Sequence, residues 1–185
     1  MTKIALITGA TSGIGKATAE ILAKNNYNLV LCGRRQDRLD ELQKTLSAHT
    51  EVHTLQFDVR DKKAVSEQIE SLPKAFSLID ILINNAGNAH GLDPIQNGNL
   101  DDWDAMIDGN IKGLLYVSKA IIPQMIARKS GHIINIGSTA AKEVYPNGNV
   151  YCATKHAVDA LNQGMRMDLN PFGIRVGAIH PGMVS

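Results

Sequence analysis

Apolar runs of strand length alternate with stretches of helical periodicity from one end of this chain to the other. No other feature constrains the fold as much. The runs cover residues 3–8, 28–33, 51–57, 79–83, 132–136 and 175–180, and helical patterns fill 13–25, 36–47, 61–72, 101–128 and 150–169. Strands separated by helices return by crossovers, which makes neighbouring strands parallel and places helices on both faces of the sheet. The handedness of each crossover is then fixed. The pattern predicts an α/β fold, a doubly wound parallel sheet in the order 3-2-1-4-5-6. With 185 residues and 44% hydrophobic content, the chain can bury one good core, and residues 1–185 read as a single domain.

The first crossover carries chemistry. The strand Ile4-Ala5-Leu6-Ile7 runs into Thr8-Gly9-Ala10-Thr11-Ser12-Gly13-Ile14-Gly15, and a helical pattern follows through Ala17, Thr18, Ile21 and Leu22. Glycines permit a tight turn and let backbone N–H groups approach a pyrophosphate, which the positive end of the helix dipole favours. The spacing Gly9-x-x-x-Gly13-x-Gly15 departs from the G-x-G-x-x-G fingerprint, so the turn alone is weak evidence.

Tyr151-Cys152-Ala153-Thr154-Lys155 places a phenol and an ammonium four residues apart in a helical segment, on one face. A neighbouring cation favours the phenolate and draws the hydroxyl toward use as a proton donor and acceptor. Ordinary helices carry the same spacing with a half-buried ring beside a solvated lysine.

In order along the chain, Thr8-Gly-x-x-x-Gly-x-Gly15, Asn84-Asn85-Ala86-Gly87, Asn110, Ser138, Tyr151-x-x-x-Lys155 and Pro181-Gly182 resemble the short-chain dehydrogenase/reductase family. The resemblance spans the chain. Gly33-Arg34-Arg35-Gln36, residues 106–113, residues 131–140 and Gly148-Asn149-Val150-Tyr151 are similar to the NADP-dependent 3-hydroxy acid dehydrogenases of that family, which act on serine, allo-threonine and related acids. It implies a Rossmann-type sheet and hydride transfer between a nicotinamide and a substrate carbon. Ser138 would steady the substrate oxygen, Tyr151 would pass a proton to or from it, and Lys155 would hold the nicotinamide ribose and lower the tyrosine pKa. Asn110 would interrupt its helix and hold a water that joins the lysine to solvent. The plainer readings are a loop-closing hydroxyl for Ser138 and a helix kink for Asn110.

Cofactor choice is read after the second strand, where an acid would bind the ribose 2′-hydroxyl of NAD and a cation the 2′-phosphate of NADP. Arg34 and Arg35 stand there, and a guanidinium suits phosphate, so NADP is expected. Asp58 resembles the aspartate at the adenine edge, with an N-cap near residue 61 as the alternative. The expected cofactor contacts are Gly9, Thr11, Ser12, Gly13, Ile14, Gly15, Arg34, Arg35, Asp58, Asn85, Ala86, Gly87, Tyr151, Lys155, Pro181, Gly182 and Val184, with Asn84 structural.

A net charge of +1 with scattered charges gives no case for nucleic acid or membrane, and the substrate is expected to be a small molecule. No signal-peptide pattern or membrane-length apolar run is present, so a cytoplasmic protein is expected. Cys32 and Cys152 read as free thiols, and the six histidines form no metal set. Met165 and Met167 read as core or subunit packing. The helices with Ile107 to Ile122 and Val150 to Leu169 carry excess apolar surface, and family members pair through them, which implies a homodimer or homotetramer. Family members also continue beyond Pro181-Gly182 through a substrate-covering segment and a seventh strand, so the chain is expected to be a fragment or to have more after it; otherwise the sixth strand would be a bare edge. Two other readings stay open: a 3-oxoacyl-thioester reductase, and an inactive cofactor-binding interaction module.

Overall fold

A computed structural model describes residues 2–183. Among the described residues six strands form, β1 Ile4–Thr8, β2 Asn28–Gly33, β3 Val52–Gln56, β4 Ile81–Asn84, β5 Gly131–Ile136 and β6 Ile174–Ile179. They pair in the order β3-β2-β1-β4-β5-β6, every ladder parallel. The helices α1 Gly13–Lys24, α2 Gln36–Leu46, α3 Lys62–Glu70, α4 Leu100–Ile107, α5 Leu114–Arg128 and α6 Asn149–Leu169 occupy the crossovers.

β1, β2 and β4 are buried almost throughout because helices cover both of their faces, whereas on β5 and β6 Ile133 and Val176 are buried and Arg175 and Ile179 on the opposite face are exposed. Across the register, Val30, Leu6, Leu82, Ile133 and Val176 form one row. That row packs with Val65 and Ile69 of α3 and Val117, Ile121 and Met125 of α5. One residue along each strand, Leu31, Ile7 and Ile83 face the other side, where Ala19 and Ala23 of α1 and Leu39, Leu42 and Leu46 of α2 cover them. A one-residue slip would exchange the two sets. Truncating a side chain such as Leu6, fully buried between its neighbours, costs about 2–5 kcal/mol.

Two sequence expectations need correction. The segment 101–128 is two α-helices joined by a π-helical turn at Asp108–Gly113. Asn110 sits within it and reaches sideways to other elements, so the helix takes an extra residue there. The fourth strand starts later than residue 79. Gln124 Oε1 accepts the Ile79 N–H at 2.9 Å, and the Asp80 carboxylate takes the Ile4 N–H and the Arg128 guanidinium, each at 2.9 Å, so α5 side chains hold this stretch. Asp61 caps α3 by accepting the Lys63 and Ala64 N–H groups at 2.9 and 3.0 Å, which removes the capping alternative for Asp58. Because all strands are parallel, the turns that follow the six strands gather along one edge of the sheet.

Candidate active site

A cleft of about 450 Å³ opens along that edge. The glycine turn forms its floor. Gly9 has φ +62°, and a side chain there would come within 3.0 Å of Ala86 Cα, so this position tolerates little but glycine. The Asn85 amide donates to Thr8 O and Gly9 O at 3.0 and 3.1 Å, while Thr8 Oγ1 accepts the Asn85 and Ala86 N–H groups, both at 3.0 Å. This stapling ties the end of β4 to the turn after β1. Among the described residues no side chain caps α1, so its first N–H groups are available to an anion.

Gly9, Thr11, Ser12, Gly13, Ile14, Arg34, Arg35, Asp58, Asn85, Ala86, Gly87, Ser138, Tyr151, Lys155, Pro181 and Gly182 all border this cleft. Gly15 stands behind its wall. A Cβ there would strike Gly9 O and the Asn85 amide, so its glycine serves the packing of α1 against the turn. Val184 lies outside the described residues.

Around Tyr151 the elements converge. Ser138 begins the turn after β5 in extended conformation, and its Oγ accepts the Ala140 N–H at 3.1 Å. The loop-closing role is therefore real, and it leaves the hydroxyl hydrogen to donate. Lys155 Nζ lies 5.9 Å from the Tyr151 ring centroid and donates to Ile136 O at 3.1 Å. Lys155 is only 8% exposed, and burial pulls its pKa down from 10.5 to about 8. This is no solvated lysine. Asn110 accepts the Asn88 N–H at 2.8 Å and donates to Asn88 O at 2.9 Å and Thr154 Oγ1 at 3.0 Å; Thr154 in turn donates to Tyr151 O at 2.8 Å. Asn110 does not border the cleft, yet it lies close behind. A Cβ on Gly87 would be 2.9 Å from Asn110 Oδ1 and 3.7 Å from Lys155 Nζ. Asn84 is buried, bonded to Ser118 Oγ and Asn135 Oδ1 at 2.9 Å each, in keeping with a structural role.

At the other end of the cleft two arginines, Arg34 and Arg60, flank the carboxylate of Asp58. Arg60 chelates Asp58 through Nε at 3.0 Å and Nη2 at 2.7 Å, and Arg34 Nη1 stands 3.8 Å away. Partial burial would raise the Asp58 pKa, but the Arg60 hydrogen bonds and the two guanidinium charges outweigh it and hold the carboxyl below its usual value. Arg35 Nη2 donates to Thr11 Oγ1 at 3.3 Å, which folds it over the glycine turn.

The family model for short chain dehydrogenases matches residues 3–185. The chain belongs to that family. Among members, it is 44% identical over 181 residues to the NADP-dependent 3-hydroxy acid dehydrogenase YdfG of Escherichia coli, covering 98% of this chain and 72% of YdfG. It is 46% identical over 184 residues to sulfoacetaldehyde reductase 2 of Chromohalobacter salexigens, covering 99% of this chain and 73% of that protein. The closed form of a serine dehydrogenase complexed with NADP+ superposes with a TM-score of 0.93 at 43% identity, covering 98% of this chain and 73% of that one. As a short-chain dehydrogenase, the protein is an oxidoreductase with a Rossmann-like parallel sheet.

Sequence reasoning missed Arg60, and also the small or backbone wall formed by Asn88, Ala89, Gly109 and Gly137. Arg60 was detectable, since a cation two residues past Asp58 follows the strand next to β2 and so joins the same sheet edge. The wall residues offer mainly backbone and small side chains, and nothing in their types announces them.

Proposed function

We propose that the protein is an NADP-dependent oxidoreductase that interconverts a secondary alcohol and a carbonyl on a small 3-hydroxy acid. One observation carries this reading: a single cleft joins the glycine turn and the arginine cluster at one end to Ser138, Tyr151 and Lys155 at the other. The uncapped α1 terminus suits a pyrophosphate, and Arg34, Arg35 and Arg60 suit a 2′-phosphate, so the residues present fit NADP. The likeness to YdfG, an NADP-dependent 3-hydroxy acid dehydrogenase, and to the serine dehydrogenase complexed with NADP+ supports the same cofactor and substrate class.

When bound, NADP supplies or accepts the hydride. Gly9, Thr11, Ser12, Gly13 and Ile14 would hold its pyrophosphate, Asp58 its adenine edge, and Asn85, Ala86, Gly87, Pro181 and Gly182 its remaining length. Ser138 donates its free hydroxyl hydrogen to the substrate oxygen. Tyr151 gives a proton to that oxygen in reduction and removes it in oxidation. Lys155 would hold the nicotinamide ribose, and a water beside Asn110 would complete the relay from Lys155 to solvent. The working state is at least a homodimer through the helical segments Ile107 to Ile122 and Val150 to Leu169, and the working compartment is the cytoplasm, where the buried thiols Cys32 and Cys152 stay reduced.

Steady-state assays of NADP reduction with serine and allo-threonine, and of NADPH oxidation with sulfoacetaldehyde and a 3-oxoacyl thioester, test the reading. The highest kcat/KM is expected for a 3-hydroxy acid with NADP. Turnover confined to the thioester, or a preference for NAD, would overturn it.

A further inference from the structure

Ser138 is held by more than its own turn. Its carbonyl oxygen accepts the Ala141 N–H at 2.9 Å and lies 3.1 Å from His180 Nδ1. A carbonyl only accepts, so Nδ1 carries the hydrogen of that contact. The other ring nitrogen, Nε2, stands 3.2 Å from Asp159 Oδ1, an ion pair when the ring is protonated. The second Asp159 oxygen takes Lys142 Nζ at 2.6 Å and Gln163 Nε2 at 3.1 Å, which fixes the carboxylate. Asp159 lies one helical turn beyond Lys155 and two beyond Tyr151 on α6.

One imidazole therefore touches the turn that carries Ser138 and the helix that carries the Tyr151–Lys155 pair. It belongs to neither, since it follows β6. Thr139 N–H donates to Pro181 O at 3.0 Å, so the peptide joining Ser138 to Thr139 is pinned at both ends by the two residues after β6. Gly137 lies against the same ring, where a Cβ would come within 2.5 Å of Nδ1.

We propose that His180 is a positioning residue for Ser138: Nδ1–H holds the Ser138 carbonyl while the protonated ring is anchored to Asp159 through Nε2–H, and this sets where the Ser138 hydroxyl stands relative to Tyr151. The proposal rests on Ser138 being the donor to the substrate oxygen. A misplacement of about 1 Å at a reacting centre costs on the order of a hundredfold in rate, so a contact far smaller than the cleft matters.

The test pairs two isosteric halves of the ring. His180→Asn keeps an amide near the Nδ1 position and can still donate to Ser138 O, whereas His180→Gln reaches toward the Nε2 position and keeps only Asp159. The kcat of His180→Gln is expected to fall about tenfold or more, with NADP affinity by fluorescence titration and the thermal midpoint close to the parent's. His180→Asn should recover most of the loss. Asp159→Asn, which leaves the ring in place, should lower kcat in the same pattern to a smaller extent.

In a Ser138→Ala background, His180→Gln should lower kcat no further, because its effect passes through the missing hydroxyl. Equal losses in both backgrounds, or NADP affinity falling in step with kcat, would overturn the proposal alone. Near-parental turnover of Ser138→Ala itself would overturn both the proposal and the reading of Ser138 beneath it.

Discussion

Lys155 shows what a residue gains and costs at this site. Its ammonium is buried in the cleft wall, with burial as the cause of its low pKa of about 8. Between about pH 8 and 10.5 the unfolded chain holds a proton that the folded chain has lost, so this group makes stability rise with pH across that window. Below the window the folded state carries the full desolvation cost, on the order of 3 kcal/mol. Lys155→Met should therefore raise the thermal midpoint of the cofactor-free protein near neutral pH, flatten the alkaline rise, and abolish turnover. A lower midpoint with turnover retained would contradict this account. The pairing with Tyr151 was legible because a four-residue spacing puts two side chains on one helix face. The burial of Lys155 was not, since Ile136 and Gly87 arrive from other elements. Arg34 is a second case. Arg60 is the closer partner of Asp58, which leaves Arg34, 64% exposed, turned toward the cleft rim. Arg34→Ala is expected to weaken NADP binding by about one to two decades and NAD binding hardly at all, measured by titration of each. Equal losses for both would remove the phosphate contact.

At the scale of elements, the π turn Asp108–Gly113 joins α4 to α5 and ties to α6 through the Asn110–Thr154 hydrogen bond. An interruption near residue 110 was legible because asparagine fits a helix interior poorly. Its form was not, because the compensation lies in tertiary bonds to Asn88 and Thr154, invisible to helical periodicity. Asn110→Ala would leave the Asn88 N–H and C=O without these partners, at a cost of about 1–3 kcal/mol for each group left buried and unpaired. A lower denaturation midpoint together with lower kcat is expected, and a variant as stable and active as the parent would show that the turn holds itself. The late start of β4 has the same origin. Apolar pattern marks Ile79 as strand, but Gln124 and Arg128 of α5 claim its neighbourhood.

For the whole molecule, parallel order and edge clustering were legible from the alternation of elements, since crossovers leave few topologies. Register was not, because apolar rows of similar length fit one another in several ways until both helical layers are in place. Beyond the two buried layers, Ile107 and Leu115 remain 37% exposed and Met167 69%, on the helices expected to pair. Light scattering at micromolar concentration with NADP present should report a dimer or a larger even assembly. A monomer would assign that surface another cover. No helix among the described residues is long and apolar enough to cross a membrane. The claim that unites the molecule is that one cleft both holds NADP and moves the substrate proton. Tyr151→Phe tests it most directly, because it removes one oxygen and leaves the ring beside Lys155. The expected result is turnover lost to the assay background with NADP affinity within about twofold of the parent, since a uniform binding loss would instead appear in both. Near-parental turnover in that variant would contradict the account.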